Sequence, residues 1–228
     1  MQCVILAAGR GTRMGELTNT TPKPMLLLSG MPILAHKISM LPQSIEEVIL
    51  VVGYKKEVII DYFGEQWQGR KMVYVEQTEL NGTAGAIHLV KHLLHDDFLV
   101  MMGDDLYHPK DIEKLMQHRL ALLAFETQQA ESFGLVTIDG QSNLLNVVER
   151  PHNFTEGLVN TGAYVLNTDF FAYKPVQITD TEFGLPQTLA LMCNDTPVKV
   201  IVTESWMPIG KPEDIELAEK YLADLLRD

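Results

Sequence analysis

The chain is poor in cysteine. It has two in 228 residues, Cys3 and Cys193, far apart and each in apolar surroundings. That excludes a disulfide framework and a cysteine-built metal site, and the expectation is two buried free thiols. No apolar run reaches the roughly 18 residues that a membrane span requires. The N-terminus lacks the basic segment and apolar stretch of a secretory leader. Both absences lead to the expectation of a cytoplasmic protein with no membrane partner. Basic residues are outnumbered, 18 against 30 acidic, for a net charge of −12. A nucleic acid polymer is therefore not expected as a partner. Repeats, low-complexity tracts and linkers are also missing. With 46% hydrophobic residues, the whole of 1–228 reads as one domain with a sizeable core.

Two familiar phosphate loops are absent as well. No Gly-Lys-Ser/Thr occurs, which excludes the P-loop. Gly9 and Gly11 begin a dinucleotide fingerprint, but Met14 stands where its third glycine belongs. The next strand ends in Val52-Gly53-Tyr54, without the acidic residue that holds a ribose. There is no Ser/His/Asp or Cys/His arrangement. His88, His92 and His95 share a spacing that puts them on one face of a helix, expected to be solvated or partly buried.

What is present is a cationic cluster at the start of an acidic protein. An apolar run feeds into Leu6-Ala7-Ala8-Gly9-Arg10-Gly11-Thr12-Arg13-Met14, and Thr21-Pro22-Lys23-Pro24-Met25 follows. Glycine and alanine let backbone N–H groups approach an anion closely. Arg10, Arg13 and Lys23 add fixed positive charge beside those amides. The stretch reads as a site for the phosphates of a nucleotide.

The first half alternates strands and helices. Strands are expected at Val4–Ala7, Val48–Val52, Met72–Val75 and Phe98–Met102. Helices are expected at Ile33–Met40, Lys55–Phe63, Thr83–Leu94 and from Pro109 to about His118. In Lys55–Phe63, Val58, Ile59, Tyr62 and Phe63 share one face. This alternation implies βαβ units and a mainly parallel sheet, with ligands at the carboxyl ends of the strands. The glycine-rich loop, Gln77 and Asp104 each follow such a strand. The second half reads as antiparallel strands at Leu122–Glu126, Leu135–Ile138, Leu144–Glu149 and Leu158–Leu166. Asp139-Gly140-Gln141-Ser142 makes a turn between the second and third. A helix at Leu185–Cys193, a strand at Val198–Val202 and a helix at Pro212–Leu226 complete the reading. Ile215, Ala218, Leu222 and Leu225 form the apolar face of the last helix.

These motifs resemble those of the sugar-1-phosphate nucleotidyltransferases, the NDP-sugar pyrophosphorylases. LAAGRGTRM followed by TPKPML carries the resemblance at the N-terminus. It continues through Gln77-Thr78-Glu79-Leu80-Asn81-Gly82-Thr83-Ala84-Gly85-Ala86, Gly103-Asp104 and Phe133-Gly134. Val148-Glu149-Arg150-Pro151, Asn160-Thr161-Gly162-Ala163-Tyr164 and the segment from Trp206 to Asp214 follow in the family's order. The resemblance covers roughly residues 2–220. It implies a Rossmann-like α/β fold with a mixed, mainly parallel central sheet, flanking helices and an antiparallel sugar-binding subregion. The nucleotide half is expected at about 1–120 and the sugar-phosphate half at about 121–228. No apolar repeat of an appended β-helix follows, so the expectation is the catalytic domain alone.

The implied reaction joins an NTP, with UTP favoured and dTTP next, to a sugar 1-phosphate, releasing pyrophosphate. By resemblance, Leu6, Ala7, Ala8, Gly9, Gly11, Thr12, Arg13, Gln77, Gly82 and Thr83 bind the nucleotide, with Gln77 and Gly82 at the base. Arg13, Lys23 and Asp104 carry the catalysis, and Asp104 binds Mg²⁺, with Asp105 as the rival ligand. Gly134, Glu149, Arg150, Asn160 and Thr161 bind the sugar phosphate, with Gly162 giving clearance. Arg150 stands where the family usually has lysine. Pro208 stands where the family usually has an acidic metal ligand two residues after the tryptophan. Glu204 and Asp214 lie nearby in sequence. The departure at Pro208 keeps a non-catalytic nucleotide-binding homologue open, and a cytidylyltransferase acting on a non-sugar phosphate such as phosphocholine is a further alternative. Oligomeric state is left undetermined.

Overall fold

The computed structural model describes residues 1–151, 154–225 and 227. In the first half, β1 (Gln2–Ala7) leads through the glycine-rich loop to α1 (Ile33–Ser39). Then come β2 (Glu47–Val52), α2 (Lys56–Phe63), β3 (Arg70–Glu76) and α3 (Gly82–Leu89). β4 (Asp97–Met102), β5 (Asp105–Tyr107) and α4 (Pro109–Leu115) end this half. The second half holds β6 (Ala121–Thr127), β7 (Gly134–Ile138), β8 (Leu144–Glu149) and β9 (Gly157–Asn167). It closes with α5 (Leu185–Met192), β10 (Lys199–Thr203), β11 (Trp206–Pro208) and α6 (Asp214–Leu225).

The fold is mixed α/β around one large sheet. β1 lies between β2 and β4 and is parallel to both; β3 is parallel to β2. β1 is buried at every position, as Val/Ile/Leu runs are when helices cover both faces of a parallel sheet. Alternate residues of β1 serve opposite faces. Cys3 and Ile5 pack with Leu34, Ile38 and Leu50, while Val4 and Leu6 pack with Ile49, Val51 and Ile87. The sheet is continuous across the two sequence halves. β9 pairs antiparallel with β4 and with β6 and β7, and β8 pairs antiparallel with β7. β10 joins the far side of β6 in parallel. A smaller antiparallel pair, β5 with β11, sits beside the sheet and sets Pro208 opposite Asp105. Met14, Leu28, Ile33, Leu106, Ile209 and Leu222 form a third apolar cluster that fastens α6 to this region. Among the described residues, no helix is long and apolar enough to cross a membrane.

Several expected elements differ in extent. The helix expected to run to Leu94 stops at Leu89. The Gln2 side chain donates to the Leu93 carbonyl at 3.0 Å and accepts from the His95 amide at 3.2 Å, holding the turn after α3 in a non-helical path. His92 and His95 therefore lie beyond α3, and the three histidines share no helical face. His88 packs edge-on against Phe171, ring centroids 5.3 Å apart, and its burial lowers its pKa. On α2, Ile59 and Phe63 are buried but Val58 and Tyr62 are exposed; the helix presents a narrower apolar stripe than its sequence suggests. The C-terminal helix starts at Asp214 rather than Pro212, and its expected end at Leu226 lies outside the described residues. Cys3 is buried, whereas Cys193 is only half-buried. Burial pushes the two thiols up to about 12 and about 11.

Candidate active site

The carboxyl ends of β1, β3 and β4 carry the glycine-rich loop, Gln77 and Asp104, and the parallel register brings all three to one edge of the sheet. Beyond Ala8 the loop turns through Gly11, at φ +65°, into a 3-10 stretch over Thr12–Thr18 that is kinked at Gly15. A Cβ on Gly11 would lie 2.7 Å from Cβ of Lys23. Glycine is required there both for the left-handed backbone and for this approach. Lys23 sits between Pro22 and Pro24 at the start of a short 3-10 turn and is buried. Its ammonium donates to the Asp104 carboxylate at 2.5 Å. The Lys23 side chain is 5% exposed and that of Asp104 30% exposed, so the pair is reachable from the Asp104 side.

Leu6, Ala7 and Ala8 are buried where the strand ends, while Gly9 and Thr12 are on the surface and Gly11 is half-buried. Arg10 lies over the Tyr54 ring, 5.1 Å from its centroid. The Tyr54 hydroxyl in turn donates to the Thr18 and Asn19 carbonyls. Arg10, Thr12, Glu16 and Tyr54 help line an open pocket of about 350 Å³ beside the loop. Arg13 is exposed and reaches toward α6; one of its terminal nitrogens is 3.7 Å from where a Cβ on Gly210 would stand.

Gln77 is buried. It donates to the Asn81 side-chain oxygen at 3.0 Å and to the Gly82 carbonyl at 3.4 Å. The Gly82 contact is the firmer guide to the orientation of the amide, because a carbonyl can only accept. Gly82 is bound by the fold itself on one side. Its φ is +89°, and a Cβ there would strike the Phe183 backbone at 2.4 Å, so its open space is filled by the chain itself. Thr83 likewise accepts from the Leu185 amide at 2.9 Å.

The sugar-side motifs meet on β7, β8 and β9. Gly134 pairs with Glu149 across the β7–β8 ladder, and Asn160 packs beside Gly134. The register of β9 against β6 breaks between Asn160 and Tyr164. Such a bulge re-aims side chains, as bulges commonly do beside sites. The Asn160 amide donates to the Tyr164 hydroxyl at 2.7 Å and accepts from the Gly162 amide at 3.0 Å. Gly162 has φ +81°, and its clearance is toward Met102. Thr161 is turned inward: it is buried, and its hydroxyl donates to the Leu123 carbonyl at 2.8 Å. Arg150 has φ +42° and an exposed side chain, 3.7 Å from the Glu149 carboxylate.

The residue after Asp104 shows how the two halves meet. The Asp105 carboxylate accepts from the Trp206 indole at 3.3 Å. Burial, reinforced by the neighbouring Asp104 charge, pushes its pKa up to about 7. The Trp206 ring packs against Phe133 and Phe125 of the sugar half. The Tyr107 hydroxyl donates to the Thr161 carbonyl at 2.8 Å. Asp214 is occupied elsewhere, accepting from the Gly210 and Lys211 amides at 2.7 and 2.9 Å, and Glu204 is exposed. Among the described residues, no three His, Cys, Asp or Glu side chains converge as metal ligands.

Sequence reasoning passed over Lys37. It is buried on α1, its ammonium donates to the Asp105 carbonyl, and it lies 4.3 Å from the centroid of the Tyr107 ring. Burial lowers its pKa to about 8, against the opposing pull of Asp105 and Asp104. The available signal was a lysine among Ile33, Leu34 and Ile38, the buried residues of the same helix. Asn81 holds Gln77 through its side-chain oxygen, a role that its place in the motif does not disclose.

Comparison with known proteins gives the family and supports the fold. The nucleotidyl transferase family pattern matches residues 2–224. The bifunctional protein GlmU of Methanocaldococcus jannaschii is 34% identical over 227 residues, covering 98% of this chain and 55% of that protein. The chain thus spans about half the length of that relative. The UTP–glucose-1-phosphate uridylyltransferase AglF of Haloferax volcanii is 32% identical, covering 98% of this chain and 97% of that protein. Among solved structures, HddC from Yersinia pseudotuberculosis complexed with GMP-PN superposes with a TM-score of 0.74 at 28% identity, covering 97% and 99% of the two chains. A UDP-glucose pyrophosphorylase complexed with UDP-glucose shares the fold, with a TM-score of 0.83 at 20% identity over 98% of each chain. By its ordered motifs, its sheet and these relatives, the chain belongs to the sugar-1-phosphate nucleotidyltransferase family.

Proposed function

We propose that this enzyme transfers a nucleotidyl group from UTP, with dTTP second, to a hexose or amino-sugar 1-phosphate, giving an NDP-sugar and pyrophosphate. The observation that carries the reading is the Lys23–Asp104 pair beneath Gly11, between the phosphate loop and the sugar-side strands. The lean toward UTP is supported by the likeness to AglF, whose name gives UTP and glucose 1-phosphate.

The phosphate of the sugar attacks the α-phosphorus in line. A P–O bond forms there as the bond to pyrophosphate breaks. A phosphate monoester is already ionised near neutral pH, so no strong general base is needed, and the work is positioning and charge neutralisation. Lys23 offsets the charge at the α-phosphate, where donor and acceptor meet. Arg13 holds the distal phosphates and the departing pyrophosphate, and the loop amides from Gly9 to Thr12 cradle the chain of phosphates. Gln77 meets the base. Glu149 and Asn160 hold sugar hydroxyls, and Arg150 faces the sugar phosphate.

The donor set fits Mg²⁺ in one way only. Asp104 is a partly exposed carboxylate, Asp105 is turned to Trp206, and Pro208 offers no oxygen from its side chain. Mg²⁺ keeps much of its water and is commonly held by one or two carboxylates plus substrate phosphates. Asp104 would hold it, and the ion would neutralise charge on the triphosphate. Lys23 takes one oxygen of that carboxylate, so the lysine and the ion would share it.

The test is pyrophosphate release over four NTPs and a panel of sugar 1-phosphates, with phosphocholine included. Turnover with UTP or dTTP and a hexose or amino-sugar 1-phosphate is expected. Turnover with CTP and phosphocholine alone would replace this reading with the cytidylyl one. Nucleotide binding without release in any combination would make the chain a binding homologue, the reading that Pro208 favours.

A further inference from the structure

Lysine is a poor occupant of a helix face that is otherwise Ile33, Leu34 and Ile38, because its ammonium must be desolvated. Lys37 is nonetheless 3% exposed. Its two direct contacts are both on β5: the Asp105 carbonyl, to which it donates, and the Tyr107 ring at 4.3 Å; the nearby Asp105 and Asp104 charges favour the ammonium as well. Opposite Asp105 in the strand pair stands Pro208, which has no N–H to give.

The arrangement has a second half. Lys23 and Lys37 come from the same stretch of chain and grip consecutive residues. Lys23 takes the Asp104 carboxylate, and Lys37 takes the Asp105 main chain. From β5 the contacts continue to the sugar half through the Tyr107 hydroxyl on the Thr161 carbonyl. The peptide between these grips decides where the Asp104 carboxylate points. We propose that Lys37 is a positioning residue for nucleotidyl transfer: by pinning the Asp105 carbonyl, it fixes the turn that presents Asp104 to Lys23. The inference rests on the transferase reading above, but Lys37 itself touches neither substrate nor the reacting atoms.

Lys37→Met removes the donor while keeping most of the apolar stem, and Lys37→Gln keeps a shorter, uncharged donor. The experiment measures kcat and both KM values, UTP affinity by calorimetry, melting temperature, and amide hydrogen exchange across Gly103–Tyr107. Positioning predicts that both variants lose about tenfold to a hundredfold in kcat, because small misplacements of reacting groups are costly. Their KM values and UTP affinity should stay within about threefold of wild type. Exchange in Gly103–Tyr107 should quicken by more than it does in β1. Wild-type kcat in either folded variant overturns the proposal. So does a parallel decline of kcat, UTP affinity and melting temperature, which would make Lys37 a stability residue only. If Lys37→Met does not fold, Lys37→Gln is judged by the same criteria. If the wild-type protein turns over no substrate pair, the transferase reading fails on its own. The exchange measurement then still decides whether Lys37 holds the turn, and unchanged exchange overturns that too.

Discussion

Lys23 is held on three sides. Pro22 and Pro24 restrict its backbone, Gly11 lets the phosphate loop lie against its Cβ, and Asp104 fixes its ammonium. A cation arranged in advance costs little reorganisation when the transition state forms. Lys23→Ala is therefore expected to lose roughly 3–4 kcal/mol of transition-state stabilisation, about 10²–10³ in kcat. UTP binding should survive, and steady-state kinetics beside calorimetry checks both. Gln77 works differently. Its amide N–H groups are occupied by Asn81 and Gly82, so on the proposed reading its carbonyl oxygen is the group that would meet a donor on a base. Gln77→Ala should lower discrimination between pyrimidine and purine triphosphates more than it lowers turnover. Relative kcat/KM for four NTPs measures this, and an unchanged preference would assign base reading elsewhere.

At the scale of elements, the proposed reaction rests mainly on the loop after β1 and the β5–β11 pair. The loop needs a left-handed residue at Gly11. Gly11→Ala should destabilise the fold by about 1–2 kcal/mol from backbone strain alone. It should also displace Lys23, so kcat should fall further than stability explains; urea melts and kinetics on the same preparation separate the two effects. In the strand pair, Pro208 faces Asp105 where the family usually places an acidic ligand. With Asp104 as a lone carboxylate, the free protein should bind Mg²⁺ weakly and gain affinity only with nucleotide present. Pro208→Asp should lower the Mg²⁺ concentration for half-maximal rate. Calorimetry showing tight Mg²⁺ binding by the unliganded wild-type protein would contradict this account. Much of this scale was legible in the sequence. Val, Ile and Leu runs gave the buried strands, and the strand-end rule placed the loop, Gln77 and Asp104 together. The end of α3 was not legible, because Gln2, more than ninety residues away along the chain, holds the turn that follows it.

For the whole molecule, the two halves are joined by a continuous sheet and by a few polar contacts. The Tyr107 hydroxyl on the Thr161 carbonyl is one of these, and it is buried on both sides. Tyr107→Phe keeps the ring beneath Lys37 and leaves that carbonyl without its donor. Such a loss typically costs about 1–3 kcal/mol, and urea denaturation should show it. The amino-acid order by itself determined the local features of this protein: strand and helix types, the cationic loop and the ordered motifs. These depend on neighbours a few residues apart, so periodicity and residue type disclose them. Tertiary structure alone decided what the open space at Gly82 faces, that Thr161 turns into the core, and that Lys37 lies beneath Asp105. Each of these depends on which distant backbone fills a space or supplies a partner. A buried charge or a glycine cleft has its meaning set by that partner, and one strand of text does not contain it.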